Sequence, residues 1–336
     1  MFKAPHIAAA ALAVAFAATL CTIAPVAHAQ LVKIDGSSTV FPITEAVAED
    51  FQKSKKGKIK VTVGISGTGG GFKKFCRGEI DISDASRPIL KKEMDECKKT
   101  GVQYIELPVA YDALTVVIHP ENKWAQTLTV AELKKMWEPA AQGKVTNWKQ
   151  VNPKFPDAPL KLFGAGADSG TFDYFTEAVN GKAKASRGDF TASEDDNVLV
   201  QGVSRDVNAL GFFGLAYYIE NQNKLTAVAV ADKAGSKGVL PGVETVMDGS
   251  YQPLSRPIFI YINAKSLDRP EVREFVEFYM KNADALVREV KYVPLPANAY
   301  QYNTDHVQNK VLGTKFGGEN KVGLTIEQLM KMEAKL

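Results

Sequence analysis

The sequence predicts an α/β protein built from mixed, largely parallel sheets flanked by helices. Along most of the chain, short apolar runs typical of buried strands alternate with segments of helical periodicity, and we find no repeat of fixed period and no low-complexity tract. The length of 336 residues, at roughly 150 residues per domain, favours two domains, each large enough to bury a core.

The first half of the chain supplies most of the predicted strands. The apolar pattern predicts a helix at 41–51, a shorter helix that begins at Phe72, and strands at 31–35, 58–65, 80–82, 102–107 and 113–118. The helix at 41–51 has Ile43, Val47 and Phe51 near a period of 3.6 residues, so one of its faces can pack on a sheet.

The second half continues the alternation after a long irregular stretch. Thr129 to Glu132 is a capping box that starts a helix, and prolines and a glycine then mark surface loops as far as Pro159. The remaining predicted elements are a strand at 160–163, a helix at 171–179, an apolar strand or turn at 211–218, a buried strand at 258–262 and a long amphipathic helix from Val272.

The composition excludes several classes of protein. Hydrophobic residues make up 45% and charged residues 24% of the chain, with 41 Lys and Arg against 38 Asp and Glu. Such a chain is too apolar and too evenly charged for a disordered protein or a dedicated nucleic-acid binder. We therefore expect no nucleic-acid partner.

Residues 1–29 resemble a cleaved secretory signal. An apolar run at 7–20 follows basic residues, and Ala27-His28-Ala29 fits the small-x-small pattern of signal peptidase cleavage. A transmembrane anchor is the alternative, but the run is about 14 residues long where a span needs roughly 20. A lipid anchor on Cys21 stays open, although Leu20 is larger than the residue usual before a lipidated cysteine. We expect the mature chain to act outside the cytoplasm, in the periplasm.

Cysteine and histidine usage agrees with export. Cys76 and Cys97 are the cysteines that remain after the signal, and an oxidising compartment favours a disulfide between them over two free thiols. His119 and His306 stand alone in the mature sequence, with no neighbouring Cys or His to complete a zinc site or a serine triad. We expect no metal, no cofactor and no histidine-based catalysis.

Three predicted strand–helix junctions are rich in hydroxyl and glycine residues. They are Gly36-Ser-Ser-Thr39, Gly64-Ile-Ser-Gly-Thr-Gly-Gly-Gly71 and Gly164-Ala-Gly-Ala-Asp-Ser-Gly-Thr171. A helix N-terminus offers unpaired N–H groups and a partial positive charge, so hydroxyls beside it can form a cradle for an anion. Helix capping alone explains one such junction, but three exceed what capping needs. The sequence therefore predicts an oxyanion site made mostly of neutral dipoles.

A fourth segment adds one charge to this prediction. Ser83 to Pro88 also follows a predicted strand, and within it Ser86 offers a hydroxyl while Arg87 offers a planar, permanently charged contact for a phosphate or carboxylate. The alternative is that Arg87 is simply solvated.

Several motifs in the same order resemble the periplasmic phosphate-binding proteins that feed ATP-dependent phosphate transporters. The resemblance covers essentially all of residues 31–300, and its motifs are Asp-Gly-Ser-Ser-Thr-Val-Phe-Pro at 35–42, Gly-Thr-Gly-Gly-Gly-Phe at 67–72, Asp-Ala-Ser-Arg-Pro-Ile at 84–89, Ala-Tyr-Asp-Ala-Leu-Thr-Val-Val at 110–117, Asp-Ser-Gly-Thr-Phe at 168–172 and Asn-Ala-Leu-Gly-Phe-Phe at 208–213.

The resemblance implies a two-lobed periplasmic binding protein fold of type II with a two-strand hinge. Lobe I would comprise residues 30–110 and 256–336, and lobe II residues 111–255. Inorganic phosphate would bind in the cleft between the lobes, and hinge closure would present the loaded protein to a membrane-embedded ABC permease. The protein would then be a monomeric receptor rather than an enzyme.

The resemblance also implies a set of ligand residues. Carried over by position, the contacts fall at Ser37, Ser38, Thr39, Thr68, Ser86, Ser169, Gly170 and Thr171. Some members of the family have an Arg where this chain has Ala165 and an Asp where it has Ser86. Because Arg87 and Asp168 lie close to these positions, we interpret them as the displaced charged pair of the site.

A carboxylate at Asp168 would have a physical purpose. Phosphate near neutral pH still carries a proton that can be donated to this carboxylate, whereas sulfate does not. Sites built to hydrogen-bond one group can reject analogues that lack it by a factor of about 10⁴–10⁵. The sequence therefore predicts phosphate and arsenate over sulfate. The alternatives are a receptor for another oxyanion or a small carboxylate, and a secreted phosphatase with Ser169 or Thr68 as nucleophile.

Overall fold

The computed structural model describes residue 1 and residues 30–167, 169–193 and 195–333. The strands are β1 (Gln30–Gly36), β2 (Ile59–Ile65), β3 (Ile82–Ala85), β4 (Tyr104–Ile118), β5 (Thr127–Thr129), β6 (Lys161–Ala165), β7 (Thr191–Ser193), β8 (Ala209–Gly214), β9 (Thr226–Ala227), β10 (Ala229–Ala231), β11 (Ser255–Asn263) and β12 (Val293–Pro294).

Helices separate most of these strands. They are α1 (Phe41–Ser54), α2 (Gly67–Cys76), α3 (Lys91–Thr100), α4 (Val130–Trp137), α5 (Trp148–Val151), α6 (Gly170–Asn180), α7 (Asp196–Ser204), α8 (Leu215–Glu220), α9 (Val243–Met247), α10 (Pro270–Glu289), α11 (Ala297–Gln308) and α12 (Ile326–Met330), with 3₁₀ turns at Pro139–Ala141 and Ser266–Asp268.

The main sheet has the strand order β2-β1-β3-β11-β4-β8-β6-β7. Strands β2, β1 and β3 run parallel at one end, and β8, β6 and β7 run parallel at the other. Between them, β11 and β4 pair antiparallel with each other and with their outer neighbours. The predicted α/β class, with mixed and largely parallel sheets, is confirmed.

Strands β4 and β11 join the two halves of the sheet. All residues of β4 are buried, and β4 pairs with β11 from Ala113 opposite Ser255 to Tyr104 opposite Asn263. The prediction of two separate strands here was wrong, because a register shift beside Ile258 lets β4 continue past Pro108 as one strand. This pair of strands is the expected two-strand connection, while the residue boundaries of the lobes stay a prediction.

Aromatic side chains pack against both halves of the sheet within one continuous hydrophobic core. On the β1 side, Phe51 of α1 packs edge-on against Phe275 of α10, with ring centroids 5.3 Å apart. On the β6 side, Trp137 of α4 packs edge-on against Phe175 and Phe212, at 5.4 and 5.0 Å. This core fixes the helices whose N-termini carry the hydroxyl residues.

Two predicted elements differ from the structure. Helix α2 begins at Gly67 rather than at Phe72, so the glycine-rich segment is itself helical. The apolar segment predicted as a strand or turn at 211–218 divides into β8 and α8 at Gly214. Glycine disfavours helix locally, but Phe72 and Phe75 are fully buried, and packing outweighs that cost.

The predicted signal at residues 1–29 lies, apart from its first residue, outside the described residues. In the part of the chain that the structure describes, no helix is long and apolar enough to cross a membrane.

A disulfide joins Cys76 at the end of α2 to Cys97 of α3, which confirms the predicted pairing. The two cysteines are 21 residues apart in sequence, and closing a loop of this size restricts the unfolded chain by an amount worth about 3 kcal/mol. We expect Cys76→Ala–Cys97→Ala to lower the free energy of unfolding by about that amount in urea titrations. Equal midpoints for the variant and the oxidised protein would contradict this expectation.

Candidate functional site

Parallel pairing brings three of the predicted segments to one edge of the sheet. Gly36 at the end of β1 lies opposite Ile65 of β2 and Asp84 of β3, so the carboxyl ends of these strands coincide. The residues that follow them are Ser37 to Thr39, the start of α2, and Ser86. Ligands of open α/β sheets bind at such carboxyl ends, which is where the sequence predicted an anion site.

The hydroxyls of this edge meet the N-terminus of α6 from the other half of the sheet. Thr39 Oγ1 lies 3.3 Å from Thr171 Oγ1, and Thr68 Oγ1 lies 3.1 Å from Ser86 Oγ. All four side chains are buried, whereas Ser38 is half-buried. The structure therefore assembles hydroxyl residues that are more than 130 residues apart in sequence.

Four of these hydroxyl oxygens accept a hydrogen bond from an N–H group. Ser37 Oγ accepts from Thr39 N at 3.2 Å, and Ser169 Oγ accepts from Thr171 N at 3.1 Å. Thr68 Oγ1 accepts from Ser86 N at 3.2 Å, and Thr171 Oγ1 accepts from an arginine N–H at 3.1 Å. A hydroxyl has one hydrogen to donate, so Ser37 and Ser169 keep their O–H available for an acceptor. In each of the pairs Thr68–Ser86 and Thr39–Thr171 one hydrogen lies between the two oxygens, and the other stays available. The cluster is a set of neutral hydrogen-bond donors.

Gly170 lets the two halves of the site touch. A β-carbon there would overlap Ser86 Oγ and would lie 3.1 Å from Thr68 Oγ1. The backbone at Gly170 therefore lies directly against the hydroxyls of Ser86 and Thr68, and the absence of a side chain is what permits this approach.

Arg87 has a carboxylate partner that the sequence did not suggest. Its guanidinium donates two hydrogen bonds to Glu93 of α3, at 2.8 and 2.9 Å, and its Nε lies 3.8 Å from Asp173 of α6. Arg87, Glu93 and Asp173 all line a cavity of about 540 Å³ beside Gly69 and Gly70. Asp168 lies outside the described residues, so the suggested pairing of Arg87 with Asp168 stays a prediction.

The two hydroxyl residues of the glycine-rich segment, Ser66 and Thr68, have different hydrogen-bond partners. Thr68 faces Ser86, as described, but the Ser66 hydroxyl donates to Asp35 at the end of β1. Asp35 also binds Lys74 of α2 at 2.6 Å. Ser66 therefore stabilises the junction between β1 and α2 and does not join the hydroxyl cluster.

Sequence analysis missed the arginine at the centre of the site. Arg256 of β11 is completely buried, and its guanidinium donates to the Gly170 carbonyl at 2.6 Å and to Thr171 Oγ1 at 3.1 Å. The same guanidinium binds Asp112 Oδ2 of β4, with Nη2 at 3.1 Å. The motif at 110–117 contains Asp112, but no local pattern links it to an arginine 144 residues later.

A buried carboxyl group lies next to the hydroxyl cluster, on a residue whose backbone contacts Ser37. Asp84 of β3 is fully buried, accepts a hydrogen bond from the Thr44 hydroxyl at 3.0 Å, and presents its backbone carbonyl to Ser37 N at 3.0 Å. Burial raises the pKa of Asp84 well above its usual range, and the negative charge of Asp35 adds to this effect.

This pKa shift gives a pH-dependent contribution to stability. Because the folded state holds the Asp84 proton more tightly, stability falls as pH rises above the unfolded pKa of about 4 and toward the folded value. We expect Asp84→Asn to remove this decline. The free energy of unfolding of the variant should therefore increase relative to that of the wild type as pH increases. Urea titrations from acidic to neutral pH measure the difference.

Asp189 provides the control of opposite sign. A hydrogen bond from Arg187 lowers the pKa of Asp189 to about 2, so its contribution to stability is lost as pH falls rather than as pH rises. Asp189→Asn should therefore lose stability relative to the wild type on going from acidic to neutral pH. A constant difference between wild type and Asp84→Asn would contradict the assignment of Asp84.

The chain matches the PBP superfamily domain over residues 22–283, and it belongs to the PBP superfamily. The match covers the strands and helices that form the hydroxyl cluster. Within the described residues, we find no cluster of three His, Cys, Asp or Glu side chains that could hold a metal ion.

Known proteins with similar sequences and structures carry related names. The chain is 53% identical to protein SphX of Synechococcus elongatus over 98% of both chains. It is 39% identical to the phosphate-binding protein PstS of Staphylococcus saprophyticus, over 80% of this chain and 82% of that one. It also resembles a Clostridium perfringens protein, assigned as a phosphate ABC transporter substrate-binding protein and solved with bound phosphate, with a TM-score of 0.66, 27% identity, and coverage of 80% and 100% of the two chains.

Proposed function

We propose that this chain is an extracytoplasmic receptor that binds inorganic phosphate between its two lobes and delivers it to an ABC permease in the membrane. The observation that carries this proposal is the cluster of buried hydroxyls from both halves of the sheet, four of whose oxygens accept N–H groups and several of whose hydrogens remain to be donated. The relatives named for phosphate binding support the choice of anion.

Neutral donors suit a receptor that must release its ligand. A tetrahedral oxyanion has four oxygens and accepts many hydrogen bonds, and donors held in fixed positions at helix N-termini need little reorganisation to bind it. In the proposed site, the contacts to the anion come from the segment before α1, from the first turn of α2, from the residue after β3 and from the start of α6. They are Ser37, Ser38, Thr39, Thr68, Ser86, Ser169, Gly170 and Thr171.

Arg87 and Asp168 complete the proposed ligand set. Arg87 lies at the cavity beside the hydroxyl cluster, where Glu93 fixes its guanidinium. Asp168 would accept the proton that hydrogen phosphate retains and that sulfate lacks, which would make the receptor selective. We further propose that the lobes are those predicted from the sequence, that the hinge opens to admit the anion, and that the signal at residues 1–29 directs the monomeric protein to the periplasm.

The experiment is a calorimetric titration of the mature protein, freed of ligand by partial unfolding and refolding, with phosphate and with sulfate at equal ionic strength. Tight binding of one phosphate with no heat from sulfate is the expected result. Asp168→Asn should reduce the preference for phosphate over sulfate. Asp232→Asn, a change at an exposed carboxylate, is the matched control and should leave this preference unchanged.

The other outcomes would overturn separate parts of the proposal. Equal affinity for both anions would remove the role of Asp168 and favour a general oxyanion receptor. Binding of neither anion would overturn the phosphate assignment itself. Release of free phosphate from a phosphate ester by the purified protein would favour the phosphatase alternative.

A further inference from the structure

Arg256 links three parts of the molecule that the binding of an anion must coordinate. It lies on β11, directly opposite Asp112 of β4, and its guanidinium contacts the first turn of α6. Its side chain is almost completely buried, and the guanidinium also lies over the Tyr174 ring at 5.3 Å. The two connecting strands and the ligand-binding end of α6 are therefore held by one rigid group.

The charge of Arg256 is already balanced. Both Nε and Nη2 donate to the same oxygen of Asp112, at 3.3 and 3.1 Å, and Asp112 is as deeply buried as its partner. An arginine neutralised in this way adds little net field to the site. Its effect on a bound anion must then come from the hydrogen bonds that it makes to α6.

The hydrogen bond to Thr171 has only one possible direction. A guanidinium is a donor and never an acceptor, so Thr171 Oγ1 must accept from Arg256 Nη2. The Thr171 hydrogen is therefore turned away from the arginine, toward the side where Thr39 Oγ1 lies at 3.3 Å. Arg256 thus occupies one lone pair of Thr171 Oγ1 and excludes one direction for its hydrogen, which leaves this hydrogen for an acceptor on the side of the hydroxyl cluster.

We propose that Arg256 is a positioning residue for the anion, which acts by orienting the Thr171 hydroxyl as a donor. This inference rests on the proposed function and assigns to the hinge strand a part in recognition. Asp112 aligns the guanidinium for this task.

A double-mutant cycle between Arg256 and Thr171 tests the proposal. The affinity for phosphate is measured by calorimetry for the wild type, Arg256→Lys, Thr171→Val and the double variant. Lysine keeps the buried charge against Asp112 but cannot make the forked contact to Gly170 and Thr171. We expect Arg256→Lys to weaken binding by about tenfold in the wild type, and by no more than about twofold when Thr171 is already valine.

Thr171→Ser is the matched control, because it keeps a hydroxyl at this position. The loss caused by Arg256→Lys should remain about tenfold in the Thr171→Ser background. Thermal unfolding of each ligand-free variant checks that the fold is retained. If Arg256→Lys does not fold, the neutral polar pair Arg256→Gln–Asp112→Asn replaces it in the same cycle, with the same expected dependence on Thr171.

The outcomes separate this inference from the proposed function. Equal losses in the valine and wild-type backgrounds would overturn the inference, since Arg256 would then act on the ligand directly or on the fold alone. Unchanged affinity in Arg256→Lys would overturn it as well. Failure of the wild type to bind phosphate would overturn the proposed function, and the inference with it.

Discussion

Gly170→Ala is expected to weaken phosphate binding by roughly 5- to 150-fold, because the added methyl group would occupy the position of Ser86 Oγ. The start of α6 would have to withdraw from β3 and α2, and the donors of the two lobes could no longer reach one anion together. The range corresponds to the cost of about 1–3 kcal/mol typical of an overpacked contact. Calorimetric titration with phosphate measures it.

Gly188→Ala is the matched control for this prediction. Gly188 also belongs to the predicted lobe II, but a β-carbon there would meet only Gln142 Oε1, at an ordinary 3.6 Å. Its phosphate affinity should equal that of the wild type. Small-angle scattering with saturating phosphate provides a second measurement, since Gly170→Ala should stay more extended than the control. Wild-type affinity in Gly170→Ala would show that the close approach is not needed for binding.

Asp112→Ala is expected to lower the free energy of unfolding by about 3–5 kcal/mol, the usual cost of breaking a buried ion pair from one side. The reason is that Arg256, with no exposed surface, would keep its charge without a carboxylate partner. Urea unfolding of the ligand-free protein measures the loss. Asp232→Ala, at an exposed position, should change the free energy little.

Replacing Asp112 and Arg256 together distinguishes the destabilising effect of an unpaired charge from that of altered packing. Asp112→Leu–Arg256→Met fills a similar volume without burying any charge, and such replacements are often neutral or stabilising. We expect the double variant to recover most of the stability that Asp112→Ala loses, yet to bind phosphate weakly because Thr171 lacks its N–H partner. Equal instability of the double variant and Asp112→Ala would mean that shape, and not an unpaired charge, accounts for the loss.

The parts of the site that could be predicted are those with local signals. Ser37 to Thr39 and Ser169 to Thr171 stand where a strand ends and a helix begins, and strand and helix periods are visible in a single sequence. Parallel pairing then brings the ends of β1, β2 and β3 together without further information. The α/β class and the disulfide followed from equally local or compositional evidence.

The parts that could not be predicted depend on contacts between distant residues. Arg256 and Asp112 pair across two strands and are 144 residues apart in sequence, so no local pattern links them. Arg87 was assigned a ligand role because its segment suggests one, but Glu93, six residues later, forms the carboxylate contact through the first turn of α3. Helix α2 begins at Gly67 because tertiary packing compensates for the low helix propensity of its glycines.

The balance of charge around the site determines how strongly phosphate binding should depend on ionic strength. Arg256 is neutralised by Asp112, the hydroxyl donors are uncharged, and the described residues that line the adjacent cavity include Lys73, Arg87, Lys92 and Lys184 against Glu93, Glu96, Asp173 and Glu177. Dissolved ions screen interactions between exposed charges, but they have little effect on hydrogen bonds inside a closed cleft. We therefore expect the affinity of such a receptor for phosphate to change little as the salt concentration increases. A receptor that depended on a basic patch would lose affinity over the same range.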